Sequence, residues 1–248
     1  NFINSAKSFF KNKLVIINKK KNNFSFFKNF LLLNSLKHIR LIFKYLIYQI
    51  FLYPVIRNKK NKFYDCKSIF FTRYPLHFLK DTKLEEKYVD LVTNNDKFIT
   101  NLNADGLHQS LSILNTFKSR IKIEKENQYQ HLVVDDFVNS ENLLESFFDM
   151  FWLFLPFKKI SNKNYIYKNM DISFSIKQEI NLSYQRVLGV LICHRALKKL
   201  LKYVSAKNYI YYLNEFCFGR MITYSLHKNN NFNTIGMQHG MPSKRKLC

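Results

Sequence analysis

Asn208-Tyr-Ile-Tyr-Tyr-Leu-Asn-Glu215, leading through a helical stretch to Thr234-Ile-Gly-Met-Gln-His-Gly240, decides how this 248-residue chain is read. A β-branched and aromatic run ends at a carboxylate, and a second short apolar run ends at Gln238-His239-Gly240. Three of the five glycines (Gly219, Gly236, Gly240) fall in this part of a chain that otherwise almost avoids glycine. Glycine marks positions where backbone bends or approaches something closely. Two strand ends carrying polar groups, joined by a helix, describe in one dimension the crevice edge of an open parallel sheet.

Working outward, the same alternation continues upstream. Ser68–Thr72 reads as a buried strand, followed by a loop through Arg73 and His77 in which Pro75 disfavours helix at Tyr74. Leu84–Leu91 reads as helix, Lys97–Leu102 as strand, 103–106 as turn, Gly106–Phe117 as helix and His131–Val134 as strand. Ser140 is the expected N-cap of a helix over Leu143–Phe154 that stops before Pro156, with Glu141 near its positive end. Ser175–Val204 is helical, in one piece or two. Strand Tyr209–Leu213, helix Phe218–His227 and strand Thr234–Met237 complete the set. Strands alternating with helices predict parallel βαβ units, so the expected class is α/β, with a Rossmann-like parallel sheet flanked by helices. No internal repeat is visible.

The N-terminal region differs in kind. Residues 1–64 contain no Asp or Glu, and Asp65 is the first acid. Within it, Leu31–Ile56 is strongly apolar but interrupted by Lys37, His38, Arg40 and Lys44, with Pro54 near its end. A membrane span needs about 20 predominantly apolar residues with few charges. Two readings stay open: an amphipathic helix lying on a membrane surface, or a helix buried against the rest of the domain. The chain is therefore divided into a basic, apolar, helical and membrane-proximal segment, 1–64, and a Rossmann-like domain, 65–248.

The formal charge of +23 suggests a polyanionic partner, lipid or nucleic acid. Lys, Asn, Ile, Phe and Tyr are abundant while Gly, Pro, Ala and Trp are scarce, as in AT-rich coding DNA, which weakens the charge as evidence. Its distribution is more telling, an acid-free basic block beside a remainder in which acids and bases mix. The four cysteines have neither CxxC pairing nor regular spacing, which argues against a disulfide framework and a zinc site and fits a reducing cytoplasm. No metal-binding His pair, phosphate-cradling Gly-rich loop or GxSxG is present.

Glu215, at the end of its strand, is the candidate catalytic carboxylate, able to take a proton from a substrate hydroxyl or to hold a sugar. A helix-capping acid is the competing role. His239, freed by Gly240 to turn over the same edge, is the candidate contact to phosphate or saccharide oxygen, alongside Gln238. Arg220 follows in the next helix, and Arg73 and His77 follow the first strand; each is also a candidate substrate contact. Asp135-Asp136 could be read as a carboxylate pair for a divalent ion, but acids before a helix are routine, and no metal or resident cofactor is expected.

The segment Ser173–Gly240 resembles the central region of bacterial surface-carbohydrate biosynthesis proteins of the GT-B glycosyltransferase fold. The carrying residues are Tyr212-Leu213-Asn214-Glu215 and Ile235-Gly236-Met237-Gln238-His239-Gly240, with Phe70-Phe71-Thr72-Arg73-Tyr74 similar to the opening strand of the first Rossmann-like domain. The likeness covers about the C-terminal quarter of the chain. It implies transfer of a sugar from a nucleotide-sugar co-substrate to a glycan or lipid-linked acceptor, on the cytoplasmic side of the inner membrane and peripheral to an anionic lipid surface. Phe216-Cys217-Phe218-Gly219-Arg220 departs from the family, where an aromatic-acidic or basic pair follows the glutamate. The nucleotide-gripping second domain has no counterpart here, so the resemblance implies an acceptor-side N-terminal half, inactive alone. The rival expectations are a basic nucleic-acid-binding domain without catalysis and a membrane-peripheral scaffold. No nucleic-acid-binding signature is present.

Overall fold

The computed structural model describes residues 23–60, 62–72, 93, 95–102, 113–125, 130–161, 165–167, 170–213, 217–227 and 233–238. The chain forms two compact units, Asn1–Ile39 and Arg40–Cys248. The first is described from residue 23 onward, as the beginning of helix α1 (Asn23–Phe51). Everything below concerns the second.

After α1 come helix α2 (Tyr53–Lys60), strand β1 (Tyr64–Thr72), β2 (Lys97–Thr100), helix α3 (Ile113–Lys125) and β3 (Gln130–Val133). A 3-10 turn over Val134–Phe137 leads to α4 (Ser140–Ser161), a hairpin of β4 (Ile166–Tyr167) and β5 (Met170–Asp171), and the long α5 (Ser173–Leu200). A second 3-10 turn, Leu201–Tyr203, opens into β6 (Val204–Leu213), then α6 (Cys217–His227) and β7 (Asn233–Gln238).

Five strands form one sheet in the order β3-β2-β1-β6-β7, and every neighbouring pair is parallel. The expected α/β class with a parallel, helix-flanked sheet is thus the observed one, and the order is that of Rossmann-like sheets. The chain moves from β1 outward to β2 and β3, then returns to the other side of β1 for β6 and β7. The point where the direction reverses lies between β1 and β6.

Parallel strands covered on both faces should be apolar along their length. The second half of β1 obeys, with Ser68 to Thr72 all buried. Its first half instead alternates, Cys66 inward and Asp65 and Lys67 outward. Across the ladder Tyr64 pairs with Val204 and Cys66 with Ala206. For this reason both strands begin four or five residues earlier than the apolar runs alone predict.

Helix α5 supplies the main covering layer. Leu188, Ile192, Ala196 and Leu200 are completely buried at four-residue spacing, flanked by Gly189, Cys193 and Leu197. Burial of each large aliphatic here contributes about 1.5–3 kcal/mol relative to exposure. Arg195, on the same helix, reaches α4 in a fork, its Nε donating to Glu145 Oε2 (2.8 Å) and its Nη2 to Asp149 Oδ2 (2.5 Å).

Helix α5 ends at Leu200 rather than at Val204, which opens β6, and other helix boundaries also differ from expectation. The cap of α4 is Asn139, not Ser140: Asn139 Oδ1 accepts the Asn142 amide at 2.9 Å. The same helix runs through Pro156 to Ser161. Proline deprives the carbonyl four residues back of its partner, but Trp152 lies on an exposed part of the helix, where water can take that bond. Helix α3, expected to end at Phe117, continues to Lys125. The expected helix Leu84–Leu91 lies outside the described residues.

Candidate active-site edge of the sheet

In an open parallel sheet, ligands bind beyond the carboxyl ends of the strands where the chain direction reverses. Here that edge is formed by Thr72 of β1 and Leu213 of β6, with β7 ending beside β6 at Gln238. β6 and β7 are hydrogen-bonded parallel neighbours, and Leu213 stands opposite Gln238 in the register. The two segments that carry the sequence motifs therefore leave one edge of the sheet side by side. Glu215, His239, Gly240, Arg73 and His77 themselves lie outside the described residues. Gln238 closes β7, and Arg220 is an exposed residue of α6.

Helix α6 connects the two motif strands, and its placement is fixed from α5. His194 Nδ1 meets Ser225 Oγ at 2.7 Å, and that hydroxyl donates to the Met221 carbonyl at 2.7 Å. The His194 ring also packs on Tyr224, 5.5 Å between centroids. A serine hydroxyl committed to its own helix backbone is a fastening between helices rather than a nucleophile. Met221, Ser225 and Leu226 are buried on this face while Arg220 points to solvent.

The other half of the carboxyl edge is closed by a buried polar network. Asp135 and Asp136 follow β3 directly, in the 3-10 turn, and are 1% and 0% exposed. Asp136 receives Arg120 Nη2 on Oδ2 at 2.8 Å and Arg120 Nε on Oδ1 at 3.1 Å, with Tyr48 Oη donating to Oδ1 at 2.6 Å. Asp135 receives Tyr45 Oη at 2.9 Å and the Leu102 amide at 2.7 Å. Arg120, itself 0% exposed, also bonds Glu124 one helical turn later. Buried charges persist only when paired and hydrogen-bonded, and here both carboxylates have donors on both oxygens.

The electrostatics follow from burial. Burial raises the Tyr48 hydroxyl well above its usual range, and the charges of Asp136 and Asp135 raise it further, so Tyr48 stays a donor. Burial works against the Arg120 charge, but the Asp136 carboxylate outweighs it and holds the guanidinium above its ordinary value. Asp135 and Asp136 are thus joints of the scaffold. Among the described residues no group of three or more His, Cys, Asp or Glu is placed to hold a metal ion.

Sequence reasoning missed the partners of this pair. Tyr45 and Tyr48 sit in an apolar helix 90 and 88 residues from their partners, and Arg120 is one base among many. The available signal was the i, i+3 pair of tyrosines, polar-tipped residues that seek a partner when buried. The result is a division of the edge: the β2/β3 end is sealed by side chains, and the β1/β6/β7 end carries the motif segments. Comparison with protein-family models found none that matches the chain, and neither the curated proteins nor the solved structures yielded a match.

Proposed function

We propose that the chain is the acceptor-binding half of a GT-B-type glycosyltransferase in surface polysaccharide assembly, with a nucleotide-sugar as donor co-substrate. Glu215 acts as general base on the acceptor hydroxyl, which attacks the anomeric carbon as the nucleoside diphosphate departs. His239 contacts a phosphate or saccharide oxygen in the same groove, with Gln238 and Gly240 shaping its turn. Arg220, Arg73 and His77 are further substrate contacts.

The observation that supports this reading is the parallel pairing of β6 and β7 with Leu213 opposite Gln238. Glu215 lies two residues beyond the first and His239 one beyond the second. Neighbouring strands lie about 4.8 Å apart, so the two motif segments start from adjacent points of the sheet. The β2/β3 end is occupied by the buried Asp135–Asp136 network, which favours the reversal point as the substrate's place.

Titrating the full-length protein with acceptor oligosaccharide, by calorimetry at low and high salt, tests the reading. A glycan site gives affinity nearly independent of salt. Affinity for nucleic acid that falls steeply and linearly with log salt, with no glycan binding, would replace it by the nucleic-acid reading.

A further inference from the structure

Helix α1 and its continuation α2 are pinned on one side and open on the other. Tyr45, Tyr48, Leu52 and Ile56 are buried, the tyrosines holding Asp135 and Asp136, and Tyr48, Leu52 and Ile56 packing with Leu102, Ile123 and Val133. Phe43, Leu46, Ile50 and Tyr53 are 61%, 38%, 71% and 59% exposed. At 3.6 residues per turn, Phe43, Leu46 and Ile50 lie about 100–160° around the axis from Tyr45, and the 3-4-3 spacing of all four draws one straight apolar stripe. The helix cannot roll to bury that stripe without breaking the Tyr–Asp bonds. The reading of this segment as a helix buried against the domain describes one face; the other face is exposed.

Charge identifies what covers the stripe. Arg40 and Arg57, at its two ends, are exposed, and residues 1–64 hold fourteen Lys and Arg and no acid. A second copy of this helix, whose apolar spacing would suit a coiled coil, would bring only cations to the flanks of the seam. A nucleic acid would use the cations but leave the aliphatic side chains against phosphate. No helix of the described residues is long and apolar enough to cross a bilayer, yet an interfacial helix needs only one apolar face with basic residues beside it.

We infer that this stripe docks the protein flat on an anionic lipid surface, with Phe43, Leu46, Ile50 and Tyr53 entering the headgroup–acyl boundary and Arg40 and Arg57 meeting anionic headgroups. The inference is independent of the sugar-transfer reading. Because the helix is clamped to the sheet, the lipid surface sets the orientation of the whole domain.

The test is vesicle flotation of the full chain with phosphatidylcholine alone and with added phosphatidylglycerol. The expected result is binding to the mixed vesicles, weakened by salt, and roughly tenfold or more weaker binding for the Phe43→Ser/Ile50→Ser variant. Because both side chains are exposed, the thermal midpoint should be unchanged. Should that variant fail to fold, Arg40→Gln/Arg57→Gln must show the same preferential loss on anionic vesicles. The inference is overturned if the wild type ignores anionic vesicles, or if a folded variant binds them equally well. It is also overturned if the wild type is a dimer that the same substitutions dissociate, or if an acidic protein displaces the vesicles and binds the stripe instead.

Discussion

Tyr48 shows how a single hydroxyl carries a domain-level contact. Its bond to Asp136 is charge-assisted and dry, so Tyr48→Phe should cost roughly 1.5–3 kcal/mol in chemical denaturation. Arg120→Met leaves the Asp136 carboxylate buried without its cation and should cost about 3–5 kcal/mol. A loss below half a kcal/mol in either case would mean that water reaches the carboxylate. Two other buried groups make the fold sensitive to alkali. Burial lifts the Cys66 thiol from 9.0 to about 11, and burial aided by the nearby Cys66 lifts the Tyr209 hydroxyl from 10.0 to about 12. Both folded values lie above the unfolded ones, so their contribution is complete below pH 9 and is lost as pH rises through 11 to 12. Melting temperature followed between pH 8 and 12 should fall over that window, and alkylation mapped to Cys66 should be slow at neutral pH until the protein unfolds.

At the scale of the element, strand and helix order was legible because apolar runs and helical spacing alternate cleanly from Ser68 onward. Boundaries were less so, and for physical causes. The first halves of β1 and β6 are polar on one face and are recruited by each other through the Tyr64–Val204 and Cys66–Ala206 pairs, a contact across 140 residues that no local pattern reveals. The hairpin of β4 and β5 went unseen because two-residue strands have no periodicity to read. The cap of α4 lies one residue before the expected Ser140, since both Asn139 and Ser140 are good caps and only the bond to the Asn142 amide distinguishes them. Replacing Asn139 by Ala should therefore destabilise the protein by about 1 kcal/mol, whereas Ser140→Ala should leave stability within a few tenths. Equal losses in thermal or urea unfolding would reassign the cap.

For the molecule as a whole, the parallel sheet and the pairing of the motif strands could be read from residues 208–238, because two short apolar runs joined by a helical stretch form a parallel βαβ unit. What could not be read was the closure of the β2/β3 end, built from Tyr45, Tyr48, Arg120, Asp135 and Asp136 out of three distant segments. That network ties the Tyr45–Tyr48 turn of α1 to the end of β3, and the proposed substrate site lies at the other end of the same edge. The central claim is that the carboxylate following β6 performs proton transfer there. It is tested most directly by the turnover of the Glu215→Gln protein in an assay of the proposed sugar transfer from a nucleotide-sugar to a glycan or lipid-linked acceptor. The account predicts a kcat about 10²–10⁴ lower with little change in acceptor KM, while wild-type turnover in a correctly folded Glu215→Gln protein would contradict it.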